Sequence, residues 1–293
     1  MKNETDRQIT RHSLPTRMCI IFFTHRTKIL KFCRPTLLTL PKPHEPALQP
    51  KLCQREQSCR HTEETSMNYS IMNYRAAARE NAHRITDYYV KDPGNGEHLK
   101  VKSPFVLEQA EKNLWTKIRK EAIKYFADNK IVWWPGSTEP SGHILSSQVS
   151  CVNHLFFLRN DKDATLKVLQ NINPDFVEVC PDFENGYIGF EVVSKHSYLG
   201  EVAEGKEQTR GANCTSVDAM MTGKLKNGKK IQVLIEWKYT ELYSKSDKSE
   251  GSSGATRKNR YDALIDDKDS PIKRTVSIDN LYYEPFYQIM RQT

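Results

Sequence analysis

The sequence predicts an α/β or α+β domain, with helices first, a cluster of strands next and a further helix at the end. Helical spacing of apolar residues is visible between about residues 74 and 169. The pattern changes to that of strands between residues 176 and 240, and residues 280–292 return to a helical pattern. Because helices and strands occur in separate runs, this class explains the pattern best.

The first part of the chain predicts no packed structure. Residues 1–66 contain six prolines and four of the seven cysteines, and their one readable element is a short apolar run at Cys19–Phe23. Met67 and Met72 are both plausible starts of the working protein. We therefore expect a disordered or non-native extension over 1–66, a helical region packed on the core over 67–143, and the main domain over 144–293.

The charge and cysteine content limit which functions and cellular locations the sequence supports. The net charge is +8, but residues 1–66 hold 12 Lys and Arg against 6 Asp and Glu, and the remainder holds 32 against 30. The nearly neutral main part is therefore poor evidence for nucleic-acid binding by charge alone. An odd number of cysteines without a secretory signal, and no apolar run of ~20 residues, predict a cytoplasmic protein without a membrane segment.

The predicted helices precede the strands. A helical segment is expected from Tyr74 to about Tyr89, and Ser103-Pro104 predicts the start of a long amphipathic helix ending near Asp128. A short strand is expected at 130–135, and helices at 145–158 and 163–169. Strands are expected at 176–180, 187–193, 214–223 and 231–240, followed by a polar loop at 244–258 and a helix at 280–292.

Two charges lie inside the apolar run IQVLIEWKYT (231–240), where an isolated charge costs several kcal/mol to bury. A hairpin at Lys226-Asn227-Gly228 precedes this run. A two-residue loop would place Asp218 opposite Trp237, on the wrong face for Glu236. A three-residue loop, with the glycine left-handed, places Asp218 opposite Glu236 and brings Lys238 to the same side.

Two carboxylates this close repel each other unless a cation joins them. Carboxylate oxygens suit Mg²⁺ or Mn²⁺, and a lysine beside the metal can orient a water or stabilise charge on a phosphate. Such an arrangement could hydrolyse a phosphodiester bond. The alternative is a structural Glu236–Lys238 ion pair at a sheet edge, offset by Asp218.

Several other residues have two interpretations. The lysines around the hairpin tip either neutralise phosphates or form a solvated turn, and these are Lys224, Lys226, Lys229 and Lys230. Arg210 either contacts a phosphate or anchors its loop. Trp133 and Trp134 either stack on bases or belong to the core.

The residues T-S-V-D-A (215–219) and L-I-E-W-K-Y-T-E (234–241) resemble the PD-(D/E)XK nuclease superfamily. The likeness is closest to a bacterial, restriction-endonuclease-like group of unassigned substrate. The segments at 146–155, 209–214 and 284–292 add to it, and the similarity runs from roughly residue 72 to the end.

The resemblance implies a restriction-endonuclease-like αβββαβ core with a mixed central sheet, extra N-terminal helices, and a Mg²⁺ or Mn²⁺ ion at the open end of the sheet. By position, Asp218 and Glu236 would bind the metal and Lys238 would be the catalytic lysine. Gln148 is the candidate from the first core helix, since it shares a helical face with Val152 and Leu155, and a satisfied core glutamine is the alternative. Glu191 and Glu201 are further candidate ligands.

The resemblance also implies DNA as the substrate. The superfamily's last strand should follow residues 280–292, where the sequence ends, so we expect a truncated chain with an unpaired sheet edge. A catalytically inactive protein of the same fold, acting as a DNA-binding or interaction module, is the alternative function.

Overall fold

The computed structural model describes most of the chain after residue 75 and two short strands before it. The described residues are 18–23, 30–33, 76–82, 84, 86–184, 186–194, 198–202, 206–208, 214–241, 247–272 and 277–293. The fold is mixed, with a central sheet and several helices, and the predicted α+β class is confirmed at this level.

A six-stranded mixed sheet forms the centre of the molecule. Its strands are β1 (Met18–Phe23), β2 (Leu30–Cys33), β5 (Phe176–Cys180), β6 (Ile188–Val193), β7 (Ser216–Leu225) and β8 (Lys230–Trp237). The order is β2-β1-β8-β7-β5, and β6 also pairs with β7. Strand β7 is long enough to pair with β5 near its end and with β6 near its start. A separate hairpin consists of β3 (Glu97–His98) and β4 (Val101–Lys102).

The helices surround this sheet. They are α1 (Arg119–Asp128), α2 (Ser147–Leu155), α3 (Lys162–Ile172), α4 (Gly254–Asp266) and α5 (Phe286–Gln292). Shorter helical turns occupy 76–82, Thr86–Val90, Ala110–Asn113, Phe156–Arg159 and Ile278–Tyr282. Side-chain caps begin two helices, since Ser146 Oγ accepts from the Val149 N–H and Asp161 accepts from the Ala164 N–H. No helix within these described ranges is long and apolar enough to cross a membrane.

The predicted long helix from Ser103 is wrong, because helix α1 begins only at Arg119. Tertiary hydrogen bonds hold the preceding backbone in an irregular path. The N–H of Leu107 donates to Gly142 O, and the N–H groups of Glu108 and Gln109 donate to the Asp92 carboxylate. These bonds replace the i to i−4 ladder that a helix would require.

Three other predicted elements also differ. The segment 130–135 forms a turn in which Trp133 bridges Ser137, instead of a strand. Helix α4 occupies the end of the predicted polar loop at 244–258 and extends beyond it. The last helix begins at Phe286, because the residues before Pro285 form a 3-10 turn at Ile278–Tyr282.

Two short strands in the N-terminal region extend the central sheet. Strand β1 contains the apolar run Cys19–Phe23 and pairs in parallel with β8, from Met18 opposite Gln232 to Phe23 opposite Trp237. Strand β2 pairs with β1. The edge of β8 is therefore paired with β1, whereas an unpaired sheet edge was expected for lack of a last strand. Both strands fall within residues 1–66, and the prediction that these residues form a disordered or non-native extension stays a prediction. The remainder of 1–66 lies outside the described residues.

The two faces of the sheet pack against different helices. On one face, alternate residues of β7 and β8 join α2 in the main core, among them Ala219, Ile235 and Val149. On the other face, Met220 and Leu234 pack with Ile289 of α5. Since residues two apart along a strand share a face, Asp218 and Glu236 belong to the face that α5 covers.

Candidate active site

The β7–β8 hairpin sets the relative positions of Asp218 and Glu236. Its loop has three residues, closed by Leu225 N–H donating to Lys229 O at 2.9 Å and Gly228 N–H donating to Leu225 O at 2.8 Å. Gly228 has φ of 79°, the left-handed conformation that glycine adopts without strain. The register pairs Ala219 with Ile235, so Asp218 lies opposite Glu236. The predicted three-residue loop and register are confirmed.

Glu236 lies inside the protein with two donors. Its residue is 3% exposed. Oε1 forms an ion pair with Lys238 Nζ at 2.5 Å, and Oε2 accepts from Gln292 Nε2 at 2.5 Å. Both charges of the 231–240 run therefore have partners. Asp218 Oδ2 accepts from the backbone N–H of Trp237 at 2.6 Å, which fixes the second carboxylate beside this pair.

A third carboxylate comes from the neighbouring strand. Glu191 is on β6, between Phe190, which pairs with Ala219, and Val192, which pairs with Val217. It is therefore at the same level of the sheet as Asp218 on the adjacent strand β7. Its φ of 48° is left-handed and locally interrupts the ladder. Glu191 Oε2 accepts from Ser216 Oγ at 3.1 Å, and Ser216 lies two residues from Asp218 on the same strand face.

Helix α2 contributes Gln148 to the same group. Its Nε2 donates to Glu191 Oε1 at 2.9 Å, and its Oε1 accepts from the Trp134 N–H at 2.8 Å. The structure thus brings together all the predicted central residues: Gln148, Glu191, Asp218, Glu236 and Lys238. Their chemical roles remain predictions.

The carboxylates carry an electrostatic cost. Burial and the adjacent Glu236 raise the pKa of Asp218 well above its usual range, and Glu191 adds to the rise. Lys238 and the Trp237 N–H lower the same pKa but do not reverse it. Asp218 therefore favours either a proton or a cation close to its oxygens.

The donor set fits a hard divalent cation in its chemistry. Three carboxylates at one level of the sheet offer the oxygen ligands that Mg²⁺ and Mn²⁺ prefer. Within the described part of the chain, no three His, Cys, Asp or Glu side chains are already arranged to hold an ion. Glu236 instead contacts Lys238 and Gln292, so it would have to turn from one of them to ligate a metal.

Gln292 is the site residue that sequence reasoning missed. It is 9% exposed, and its Nε2 reaches both Glu236 Oε2 and, at 3.5 Å, Ser216 O. Because both partners are acceptors, the amide nitrogen must point to them. Oε1 is buried without a hydrogen-bond partner among the described residues. The only signal in the sequence is the polar spacing Glu284, Gln288 and Gln292, which puts three polar residues near one helical face.

Glu284 adds a fourth carboxyl group near the lysine. It forms an ion pair with Lys248 at 4.0 Å. Burial raises its pKa, while Lys248 and Lys238 lower it and Glu236 raises it. The segment around α5 thus contributes both a carboxyl group and an amide to the surroundings of Glu236 and Lys238.

Glu201, a further candidate ligand, has a different environment. It accepts hydrogen bonds from Thr215, from Tyr261 at 2.8 Å and from Arg291 at 2.7 Å. Burial raises the pKa of Glu201, but its donors and the Arg291 charge lower it overall. Its carboxylate joins the start of β7 to α4 and α5.

The predicted nucleic-acid contacts lie away from this group. Lys224 and Lys226 pair with Glu178 at 3.8 Å and Asp175 at 3.1 Å, and Lys229 and Lys230 are exposed at the hairpin tip. At about 3.3 Å per residue, Lys224 is roughly 20 Å from Asp218 along β7, and the tip is roughly 30 Å away. Phosphate binding there remains a prediction, and Arg210 lies outside the described residues.

With this fold and site, the chain falls into the class of restriction-endonuclease-like proteins. Residues 75–293 match the family described as restriction endonuclease associating with ARP. This match covers about three quarters of the chain, and the protein belongs to that family. No curated protein and no solved structure matched the sequence.

Proposed function

We propose that this protein is a metal-dependent nuclease of the PD-(D/E)XK type that hydrolyses DNA phosphodiester bonds. The single observation that supports it most is the hairpin register, which sets Asp218 opposite Glu236 with Lys238 bonded to Glu236. Family membership supports a nuclease-like function independently.

Each residue would have a distinct task. Asp218 and Glu236 would hold Mg²⁺ or Mn²⁺, with Glu191 as a third ligand. The ion would act as a Lewis acid on the phosphate and lower the pKa of a bound water. Lys238 Nζ would orient the attacking water and stabilise the negative charge that grows on the phosphate. Gln148 would hold Glu191, and Gln292 would hold Glu236 in the required direction.

The proposed αβββαβ core would consist of α2, the meander β6–β7–β8 and the C-terminal helices. Strand β1, which pairs in parallel with β8, would then stand in for the last strand of that core. A soluble cytoplasmic enzyme acting on DNA fits this proposal.

The test is cleavage of supercoiled plasmid by the purified protein with Mg²⁺ or Mn²⁺. We expect nicking that disappears with EDTA and in both Asp218→Ala and Lys238→Ala. The matched controls are Asp128→Ala and Lys124→Ala, an exposed pair on α1 joined at 2.6 Å, which should cleave normally. Cleavage that persists in Asp218→Ala would contradict the proposal.

A catalytically silent DNA-binding module is the second candidate. The contacts of Glu236 with Lys238 and Gln292 favour it, since they satisfy the carboxylate without a metal. Calorimetry with Mn²⁺ separates the two, because a structural ion pair binds no metal. DNA retention without Mn²⁺ binding or cleavage would support the silent module.

A further inference from the structure

Two consecutive tryptophans have opposite environments. Trp133 is fully buried and stacks on Phe126 with ring centroids 3.7 Å apart. Trp134 is 55% exposed. The backbone N–H of Trp133 donates to the backbone carbonyl of Ser137 at 2.8 Å. This tight turn holds the exposed indole of Trp134 next to the buried indole of Trp133. The buried Trp133 ring and this turn therefore fix the backbone at Trp134.

Trp134 lies next to the candidate active site. Its backbone N–H donates to Gln148 Oε1 at 2.8 Å, and Gln148 Nε2 donates to Glu191 Oε1 at 2.9 Å. One glutamine side chain thus connects the Trp134 backbone to a carboxylate of the site. The Trp134 backbone is therefore two hydrogen bonds away from a carboxylate of the candidate site.

The β3–β4 hairpin extends the exposed surface around Trp134. The His98 ring lies 5.1 Å from the Trp134 ring and 4.9 Å from His143. Val101 is opposite His98 in the hairpin, so both share one face, and Val101 is 61% exposed. Burial lowers the pKa of His98, which favours a neutral ring at neutral pH. We call Trp134, His98 and Val101 the Trp134 platform.

The hairpin that supports the platform has a strained turn. Leu99 and Lys100 both have positive φ, 51° and 65°, although neither is glycine. This turn type requires positive φ at both positions, a backbone conformation that residues other than glycine adopt only at an energetic cost. Residues held in this way require surrounding structure that fixes them and concentrate at functional positions.

Asp92 fixes the base of the same hairpin. Its buried carboxylate accepts three backbone N–H groups, from Gly94 at 3.0 Å, Glu108 at 3.0 Å and Gln109 at 3.1 Å. Gly96 approaches Leu107 so closely that an added Cβ would lie 2.1 Å from its carbonyl oxygen. The platform is therefore an exposed apolar surface on a firmly anchored support.

We propose that the Trp134 platform stacks on an unpaired nucleobase of the DNA strand whose phosphate occupies the site, an inference that rests on the proposed function. Every base has a π face that stacks on an indole without regard to sequence. Bases in a duplex already stack on each other, so the contact requires single-stranded or locally opened DNA. Lys100 and Lys102 are exposed on the same hairpin and supply charge for the adjoining phosphates.

The experiment measures binding without cleavage. The Lys238→Ala protein is titrated in EDTA with a labelled single-stranded oligodeoxynucleotide and with its duplex. Adding Trp134→Ala should weaken single-strand binding by roughly ten-fold or more, the effect of losing one stacked base, and leave duplex binding unchanged. Trp134→Phe should retain most of the affinity.

Trp115 supplies the matched control. Trp115 is 48% exposed, and its backbone N–H donates to Asn153 Oδ1. Asn153 is at the other end of α2 from Gln148. Trp115→Ala should bind single strands as the parent does. An abasic nucleotide at one defined position should abolish the effect of Trp134→Ala. His98→Ala, as a second variant, should lower single-strand affinity in the same direction.

Three results would overturn the platform: no single-strand binding by the parent protein, equal losses in the two tryptophan variants, or an equal loss on duplex DNA. Failure of the proposed nuclease function is seen separately, in plasmid cleavage by the protein with an intact Lys238. If the protein binds single strands through Trp134 but cleaves no DNA, the proposed role of the Trp134 platform is supported and the proposed nuclease activity is contradicted.

Discussion

Asp218 combines a proposed role in metal binding with a cost to folding. In the absence of metal, burial and the neighbouring Glu236 raise its pKa above the value of 3.8 expected in an unfolded chain. The native state therefore binds the Asp218 proton more tightly than the unfolded state. Consequently this group reduces stability as the pH rises from about 3.8 through the raised pKa.

Asp218→Asn should therefore stabilise the metal-free protein. The asparagine carries no charge, and its side-chain oxygen still accepts from the Trp237 N–H. We expect the free energy of unfolding at pH 7 in EDTA to rise by about 1 kcal/mol or more. The difference should disappear well below pH 3.8, where Asp218 of the wild type is protonated in both the native and the unfolded state.

Urea unfolding across this pH range measures the effect. Asp128→Asn, at an exposed position paired with Lys124, should show no such gain. A loss of stability in Asp218→Asn at pH 7 would show that its ionised carboxylate is stabilising, contrary to the environment described.

A substitution of Gln292 tests whether its hydrogen bond to Glu236 supports metal binding. Gln292→Leu removes the donor to Glu236 Oε2 and leaves the ion pair between Lys238 and Glu236 Oε1. We expect Mn²⁺ affinity and plasmid nicking to fall by roughly ten- to a hundred-fold, the usual effect of losing a residue that orients a ligand. Calorimetry measures the first quantity and a nicking time course the second.

The control for Gln292 is Gln288→Leu. It makes the same substitution in the same helix at a residue without a hydrogen bond to Glu236. Equal losses in the two variants would assign the effect to helix α5 as a whole and contradict a specific role for Gln292.

Individual site residues differ in how far the sequence could predict them. The sequence could predict that Asp218, Glu236 and Lys238 lie together, because the pairing of two strands follows from counting residues around the loop that joins them. The contact of Gln292 with Glu236 could not be predicted, since no local sequence pattern indicates which distant helix covers a given face of a strand. Trp133 and Trp134 share a sequence context, and only the tertiary turn at 133–137 separates a core ring from an exposed one.

At the scale of elements, the β7–β8 loop determines the register. Gly228 has φ of 79°, and no atom lies within 4 Å of the Cβ that an alanine would add. The cost of Gly228→Ala should therefore come from backbone conformation alone, about 1 kcal/mol in the free energy of unfolding. The many pairs along the hairpin retain the register, so plasmid nicking should be unchanged.

The neighbouring substitution Lys229→Ala is the control for Gly228. Lys229 is exposed beside the same turn, and its replacement should change stability by less than about 0.5 kcal/mol. Urea unfolding of both variants provides the comparison. If Gly228→Ala has no greater effect than Lys229→Ala, the left-handed glycine does not stabilise the three-residue loop.

The elements themselves were predicted unevenly for a physical reason. Strand β5 is found at the predicted residues, because a short apolar run between turns has few alternatives. The predicted helix from Ser103 failed, since the Asp92 carboxylate takes the N–H groups of Glu108 and Gln109. Such long-range acceptors override helix propensity and leave no local signal.

At the scale of the whole molecule, Glu201 joins three separate parts of the chain. Its carboxylate accepts from Thr215 before β7, from Tyr261 of α4 and from Arg291 of α5. The neighbouring cluster of Tyr261, Ile265, Tyr282, Tyr287 and Met290 packs α4 and α5 together. Since Gln292 follows Arg291 directly, this ion pair also holds the helix that reaches Glu236.

Arg291→Met should therefore both destabilise the protein and weaken the site. It leaves the buried Glu201 without its cation, and breaking such a pair costs about 3–5 kcal/mol. The pKa of Glu201 is lowered in the native state, so the stability it contributes is complete above 4.5 and is lost as the pH falls through the lowered value. The difference in unfolding free energy between wild type and Arg291→Met should shrink over the same range, because a protonated Glu201 needs no cation.

Two further variants distinguish this network from an ordinary surface pair. Lys124→Met breaks the exposed pair with Asp128 and should change stability by less than about 1 kcal/mol at any of these pH values. Adding Glu201→Gln to Arg291→Met removes the uncompensated charge and should recover part of the lost stability. Mn²⁺ affinity should stay low in that double variant, because the neutral pair no longer directs α5 toward Glu236. Full recovery of Mn²⁺ binding would show that Gln292 reaches Glu236 without help from the Glu201–Arg291 pair.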